Sequence, residues 1–110
     1  MSARRFTVQD WEKLARAAGF QPSVMADFSG MTLRQLERRF KKEFQMTPTE
    51  WIRRFRCRLA MEFIKQGYKN HAIAIDLKFG NGSQLCHDFK RVYGAPPQSF
   101  AAFPGMPIIR

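Results

Sequence analysis

The sequence predicts an all-α protein built from two similar helical units joined by one long helix, and three observations carry that reading. Apolar residues recur at three- and four-residue spacing along most of the 110-residue chain. Gly, Pro and Ser/Thr/Asn fall between those runs, where helices stop and start. One segment returns after forty-nine positions, and no stretch alternates convincingly as a strand.

From Thr7 to Ala18, the spacing of Val8, Trp11, Leu14, Ala15 and Ala18 predicts an opening amphipathic helix ended by Gly19. Pro22 and Ser23 open a short helix over Val24–Phe28, and Gly30 supplies a turn. The next helix, Thr32–Phe44, starts at Thr32 as N-cap, with Gln35 placed to reach back as in a capping box. Leu33, Leu36, Phe40 and Phe44 share one stripe, while Arg34, Glu37, Arg38 and Lys41 share a neighbouring stripe that should stay in water.

Thr47, Pro48 and Glu50 mark the start of a long helix, since Pro at the first helical position lacks only an amide with no partner there. It should run to about Gln66 and stop at Gly67, burying Ile52, Phe55, Leu59 and Phe63. At 1.5 Å per residue it spans roughly 28 Å. Asn70 is expected to cap a short segment with Ile73, Ala74 and Leu77 inward, and Gly80, Asn81 and Gly82 to form a turn. The helix Ser83–Tyr93 then places Leu85, Phe89, Val92 and Tyr93 on the core side and ends at Gly94. A turn of helix around Gln98–Phe103 and a loose tail follow. The domain plan is residues 1–46 for the opening helix and first unit, 47–67 for the linker helix, 68–103 for the second unit and 104–110 for the tail.

The repeat sets Leu36 on Leu85, Phe40 on Phe89, Lys41 on Lys90, Lys42 on Arg91, Phe44 on Tyr93, Pro48 on Pro97 and Trp51 on Phe100. Each copy is preceded by a short apolar helix and a turn, so the plan is two helix-turn-helix subdomains. A helix of roughly 28 Å between them would hold two similar helices near the ~34 Å separation of successive major-groove segments.

Charge narrows the partner. Nineteen Lys+Arg against nine Asp+Glu give a net charge of +10, and nine of the cations lie between Arg34 and Arg58, which suits a polyanion. Charge alone leaves a merely solvated basic surface open. An anionic membrane surface fits less well, because the apolar faces are committed to a core. No apolar run is long enough to span a bilayer and the N-terminus lacks the apolar segment of a secretory signal, so the expected location is cytoplasmic. Cys57 and Cys86 read as free thiols.

The residues GMTLRQLERRFKK with MTP after them, IAIDLKF, and SQLCHDFKRVYGAPPQSF make the chain resemble the DNA-binding domain of the AraC/XylS family of bacterial transcription regulators. The resemblance covers about Val24 to Phe103. It implies seven helices in two helix-turn-helix subdomains, with the second helix of each in the major groove of double-stranded DNA. It also makes RNA polymerase a candidate partner. No cofactor and no small-molecule ligand is implied by the residues of this chain, and nothing in it resembles the ligand-sensing domain that many members carry. Two positions depart from the family: Lys78 and Gln45 stand where glycine is usual. A left-handed conformation there would cost a residue with a Cβ ~1 kcal/mol.

The family pattern assigns base contacts to Arg34, Glu37 and Arg38, and the helical wheel exposes the same residues. Arg39, Lys41 and Lys42 are expected at phosphates. The corresponding second-unit positions are Gly82, Ser83, Gln84, Cys86 and His87. Of these, Gln84 is suited to adenine, Ser83 to a base or phosphate and Gly82 to a contact through its amide, and His87 completes the base-facing set. Lys90 and Arg91 are the phosphate contacts, and the less basic face predicts more degenerate readout.

Catalysis finds no footing. Cys86, His87 and Asp88 are consecutive, and helical neighbours point about 100° apart, so they cannot align as nucleophile, base and orienter. His71, His87 and the two cysteines lack metal-ligand spacing. The leading expectation is sequence-specific DNA binding in transcription regulation. A nonspecific basic nucleic-acid binder, and an enzyme or accessory domain of a DNA-modifying protein, are the alternatives.

Overall fold

In the computed structural model, residues 6–100 are described; they form six α-helices and a closing 3-10 helix, with no strand among the described residues. The described residues divide into two compact units, with the boundary between Ile52 and Arg53.

The first unit holds α1 (Val8–Ala17), α2 (Pro22–Phe28), α3 (Leu33–Phe44) and the start of α4 (Pro48–Lys65). Thr7 is the N-cap of α1 rather than its first residue: its hydroxyl accepts from the Asp10 amide at 3.1 Å and the Asp10 carboxylate accepts from the Thr7 amide at 2.9 Å. Thr32 and Gln35 close the expected box on α3 in the same way, at 3.1 and 2.9 Å. Each box satisfies amides that the first turn leaves without helical partners. Trp11 is fully buried, with Phe6 and Phe40 at ring-centroid distances of 4.6 and 4.9 Å. Leu36, Phe40, Met25, Ala26 and Ala15 complete this core. Leu33 corrects the expected apolar stripe: at 40 % exposure it stands with the charged residues instead.

The second unit contains the rest of α4, α5 (Asn70–Asp76), α6 (Gly82–Tyr93) and the 3-10 helix Pro97–Phe100. Ile73, Ala74, Leu77, Leu85 and Phe89 are buried as the periodicity requires, with Val92 and Tyr93 half-buried. Along α4 the buried surface is wider than the single expected stripe. Ile52 and Phe55 are buried but Leu59 and Phe63 only half so, while Cys57, Ala60 and Ile64 form a second buried stripe. Cys57 and Ala60 are small and bury little area, so they contribute little to a periodicity signal and leave Ile64 as the one large residue of that stripe.

Asn70 is not a cap. It is the first residue of α5, after Lys69 as N-cap, and its amide donates to the Cys86 sulfur at 3.7 Å. Gly82 belongs to α6 rather than to the turn, since Asn81 is the N-cap and its side chain accepts from the Gln84 amide at 2.9 Å. Residues 101–110, including the end of the expected Gln98–Phe103 turn and the tail, lie outside the described residues.

Both departures from glycine adopt the left-handed conformation. Gln45, the C-cap of α3, has φ 57°, and Lys78, after α5, has φ 63°. At the position equivalent to Gln45, the C-cap of α6 is Gly94 with φ 82°. Local contacts support the strained backbone. The Gln45 side-chain amide donates to the Lys42 carbonyl at 3.1 Å. Arg56 donates to the Lys78 carbonyl at 3.1 Å and lies 4.5 Å over the Phe79 ring. Burial pulls the Arg56 guanidinium below its ordinary value, while Asp88 opposes that shift. Phe20 also has a positive φ, 63°, which the sequence did not announce.

Candidate nucleic-acid interface

The turns that present α3 and α6 are built alike. After α2, the Met31 amide reaches back to the Ala26 carbonyl at 3.0 Å; after α5, the Phe79 amide reaches the Ala74 carbonyl at 2.9 Å. These bonds close each short helix on its following turn and fix where the next helix begins.

On α3, Leu33, Arg34, Glu37, Arg38 and Lys41 line one open depression. On α6, Gly82, Ser83, Cys86, His87 and Lys90 line another, together with Asn70 and Pro96 from outside that helix. The second set of five is the first moved by forty-nine positions. Two helices that share no obligation to expose the same face expose the same face, with different contents. Three cations and a carboxylate stand on α3; a glycine, hydroxyl, thiol, imidazole and single ammonium stand on α6.

Arg34, Glu37, Arg38, Lys41, Ser83, His87 and Lys90 are therefore all exposed on these faces. A Cβ at Gly82 would meet no atom within 4 Å, so its missing side chain leaves space beside the start of α6. Lys42 and Arg91, equivalent to each other, are exposed on the stripe beside the two faces, as is Gln84. Arg39 is placed elsewhere. It pairs with Glu43, and its guanidinium lies 5.9 and 5.8 Å from the Phe6 and Trp11 rings, half-buried against the opening helix.

The sequence reading missed Asp88. It is 6 % exposed, accepts from the Gln84 side-chain amide at 3.1 Å and lies 3.9 Å from Arg53. Its place between Leu85 and Val92 on the helical wheel, three residues after one and four before the other, is the signal that could have announced that burial. Cys86 is half-buried and His87 exposed, so the consecutive Cys, His and Asp side chains occupy different environments. Among the described residues no three His, Cys, Asp or Glu gather as metal ligands, and no helix is long and apolar enough to cross a membrane.

Paired helix-turn-helix units, each exposing a polar helix face, define a DNA-binding class of protein. Residues 25–102 match the helix-turn-helix domain family. A Streptomyces lividans protein, provisionally described as an AraC-like transcription regulator, is 34 % identical over 84 residues, covering 76 % of this chain and 28 % of that protein. No solved structure matches. The chain belongs to the AraC-type helix-turn-helix family, and the match spans little more than a quarter of the curated relative's length.

Proposed function

We propose that this domain recognises specific sequences in double-stranded DNA by laying α3 and α6 in successive major-groove segments. The observation that carries the reading is the pair of equivalent five-residue faces forty-nine positions apart. An unspecific basic surface needs charge, but it has no need to repeat one face in register. Arg34 and Arg38 suit guanine O6 and N7, Glu37 suits cytosine N4, and Ser83, Gln84 and His87 with the Gly82 amide suit base edges at the second segment. Lys41, Lys42, Lys90 and Arg91 neutralise phosphates. The intramolecular contacts of Arg39 favour packing over a phosphate for that residue. The 18 residues of α4 amount to ~27 Å of helix, a length compatible with two reading heads about one duplex turn apart.

Regulation of transcription follows from occupying such sites. Selection of bound fragments from genomic DNA at roughly physiological salt tests the proposal. An enriched motif is expected; recovery without enrichment would leave only nonspecific binding.

A further inference from the structure

Gln35 and Gln84 occupy equivalent positions, forty-nine residues apart, in the first turns of α3 and α6. Their side chains do different things. The carbonyl oxygen of Gln35 is spent on its own helix, accepting from the Thr32 amide at 2.9 Å. Gln84 instead turns its amide nitrogen to Asp88 Oδ1, at 3.1 Å. The difference lies one helical turn on, where the first unit has Arg39 and the second has Asp88.

A carboxylate only accepts, so its chemistry decides which end of the Gln84 amide faces it: the NH2 must point to Asp88 and Oε1 must point away. Asp88 is itself held, being 6 % exposed with Arg53 at 3.9 Å from the same oxygen. An exposed glutamine normally exchanges its two amide orientations and can offer a donor or an acceptor. Here one orientation is stabilised by a charge-assisted bond.

Building on the DNA-reading proposal above, we propose that Asp88 is a positioning residue that fixes Gln84 with its carbonyl outward, so that α6 selects adenine at the base it meets. An outward carbonyl repels phosphate oxygens and the acceptor edges of guanine and thymine. In the major groove its only partners are exocyclic amino groups, on adenine N6 and cytosine N4. The second N–H of the Gln84 amide remains beside Oε1. Together they match the donor and acceptor order of adenine N6 and N7, which cytosine does not present.

The test uses the full chain and DNA selected by it. Comparing motifs from the unmodified protein and Gln84→Ala locates the base pair that Gln84 reads. Replacing adenine there by purine, which lacks the N6 amino group, should weaken binding roughly tenfold in the unmodified protein and not in Gln84→Ala. Asp88→Ala should erase that sensitivity while Asp88→Asn, which keeps an acceptor at the same place, should restore most of it. A general structural role for Asp88 would change affinity without changing the purine-to-adenine ratio. The purine measurement on the unmodified protein holds even where Asp88→Ala does not fold. Equal binding of purine and adenine overturns the inference, as does a preference for guanine or thymine at that position or a ratio unchanged in folded Asp88→Ala. Those results leave DNA reading intact, whereas the absence of any selected motif would remove both.

Discussion

Phe40 and Trp51 meet edge to face, their ring centroids 5.4 Å apart and their planes at 83°, and forty-nine residues later Phe89 and Phe100 repeat the pair at 5.6 Å and 62°. Phe44 and Tyr93 complete the two sets, 5.0 Å from Phe40 and 4.7 Å from Phe89. Pro48 and Pro97, also equivalent, are both fully buried. Thus the repeat in sequence is a repeat in packing. In each unit one aromatic trio anchors the end of the exposed-face helix to the element that follows the proline.

Phe40→Ala should therefore destabilise the protein by about 3–5 kcal/mol, because it empties a fully buried ring site that Trp11, Phe44 and Trp51 abut. Phe40→Leu should cost less. Urea denaturation monitored by circular dichroism reads both, and a near-neutral Phe40→Ala would contradict the packing described.

Gln45→Gly and Lys78→Gly should each stabilise by roughly 0.5–1 kcal/mol, since both positions have left-handed φ values that glycine adopts without a Cβ penalty. Gly94→Ala should destabilise by a similar amount. Thermal melts of the three variants check the signs together, and a destabilising Gln45→Gly would mean that its side-chain bond to Lys42 outweighs the backbone strain.

Arg56→Ala removes both the bond to the Lys78 carbonyl and the stacking on Phe79, so a loss of about 1–3 kcal/mol is expected. In a Lys78→Gly background the loss should shrink, because the turn then depends less on external support. A double-mutant cycle measures this coupling directly.

Arg38→Ala should reduce binding mainly at the selected site, by about 1–3 kcal/mol, and relax the preference at one base position. Lys42→Ala should weaken all sequences alike and lower the salt slope by about 1. Fluorescence anisotropy across a salt series separates the two, and identical behaviour of the variants would contradict the division between base and phosphate contacts.

Most of the fold was legible because its punctuation is local. Thr32 with Gln35 and Thr47 with Glu50 announce helix starts through bonds made within four residues, and both bonds to the threonine hydroxyls form at 3.1 Å. The repeat carried the rest, since Leu36, Phe40, Leu85 and Phe89 are large residues whose burial dominates the apolar pattern. What escaped was non-local or small. The stripe of Cys57, Ala60 and Ile64 has only Ile64 as a large residue to mark it, Leu33 looks apolar but lies on the wet face, and Asn70 faces Cys86 rather than its own helix. Asp88 escaped in part for the same reason: Gln84 stands four residues before it on α6, but Arg53 is on α4, and only the fold brings that partner to it.

The most direct measurement of the central claim is binding to a selected site before and after insertion of five base pairs between its two segments. Half a turn of duplex moves the second segment to the opposite face of the DNA, so a site read at two successive major-groove segments is broken. Affinity should fall at least tenfold and lose its dependence on Ser83 and His87. Undiminished affinity, with Ser83→Ala and His87→Ala still weakening binding, would contradict two-headed reading by this chain.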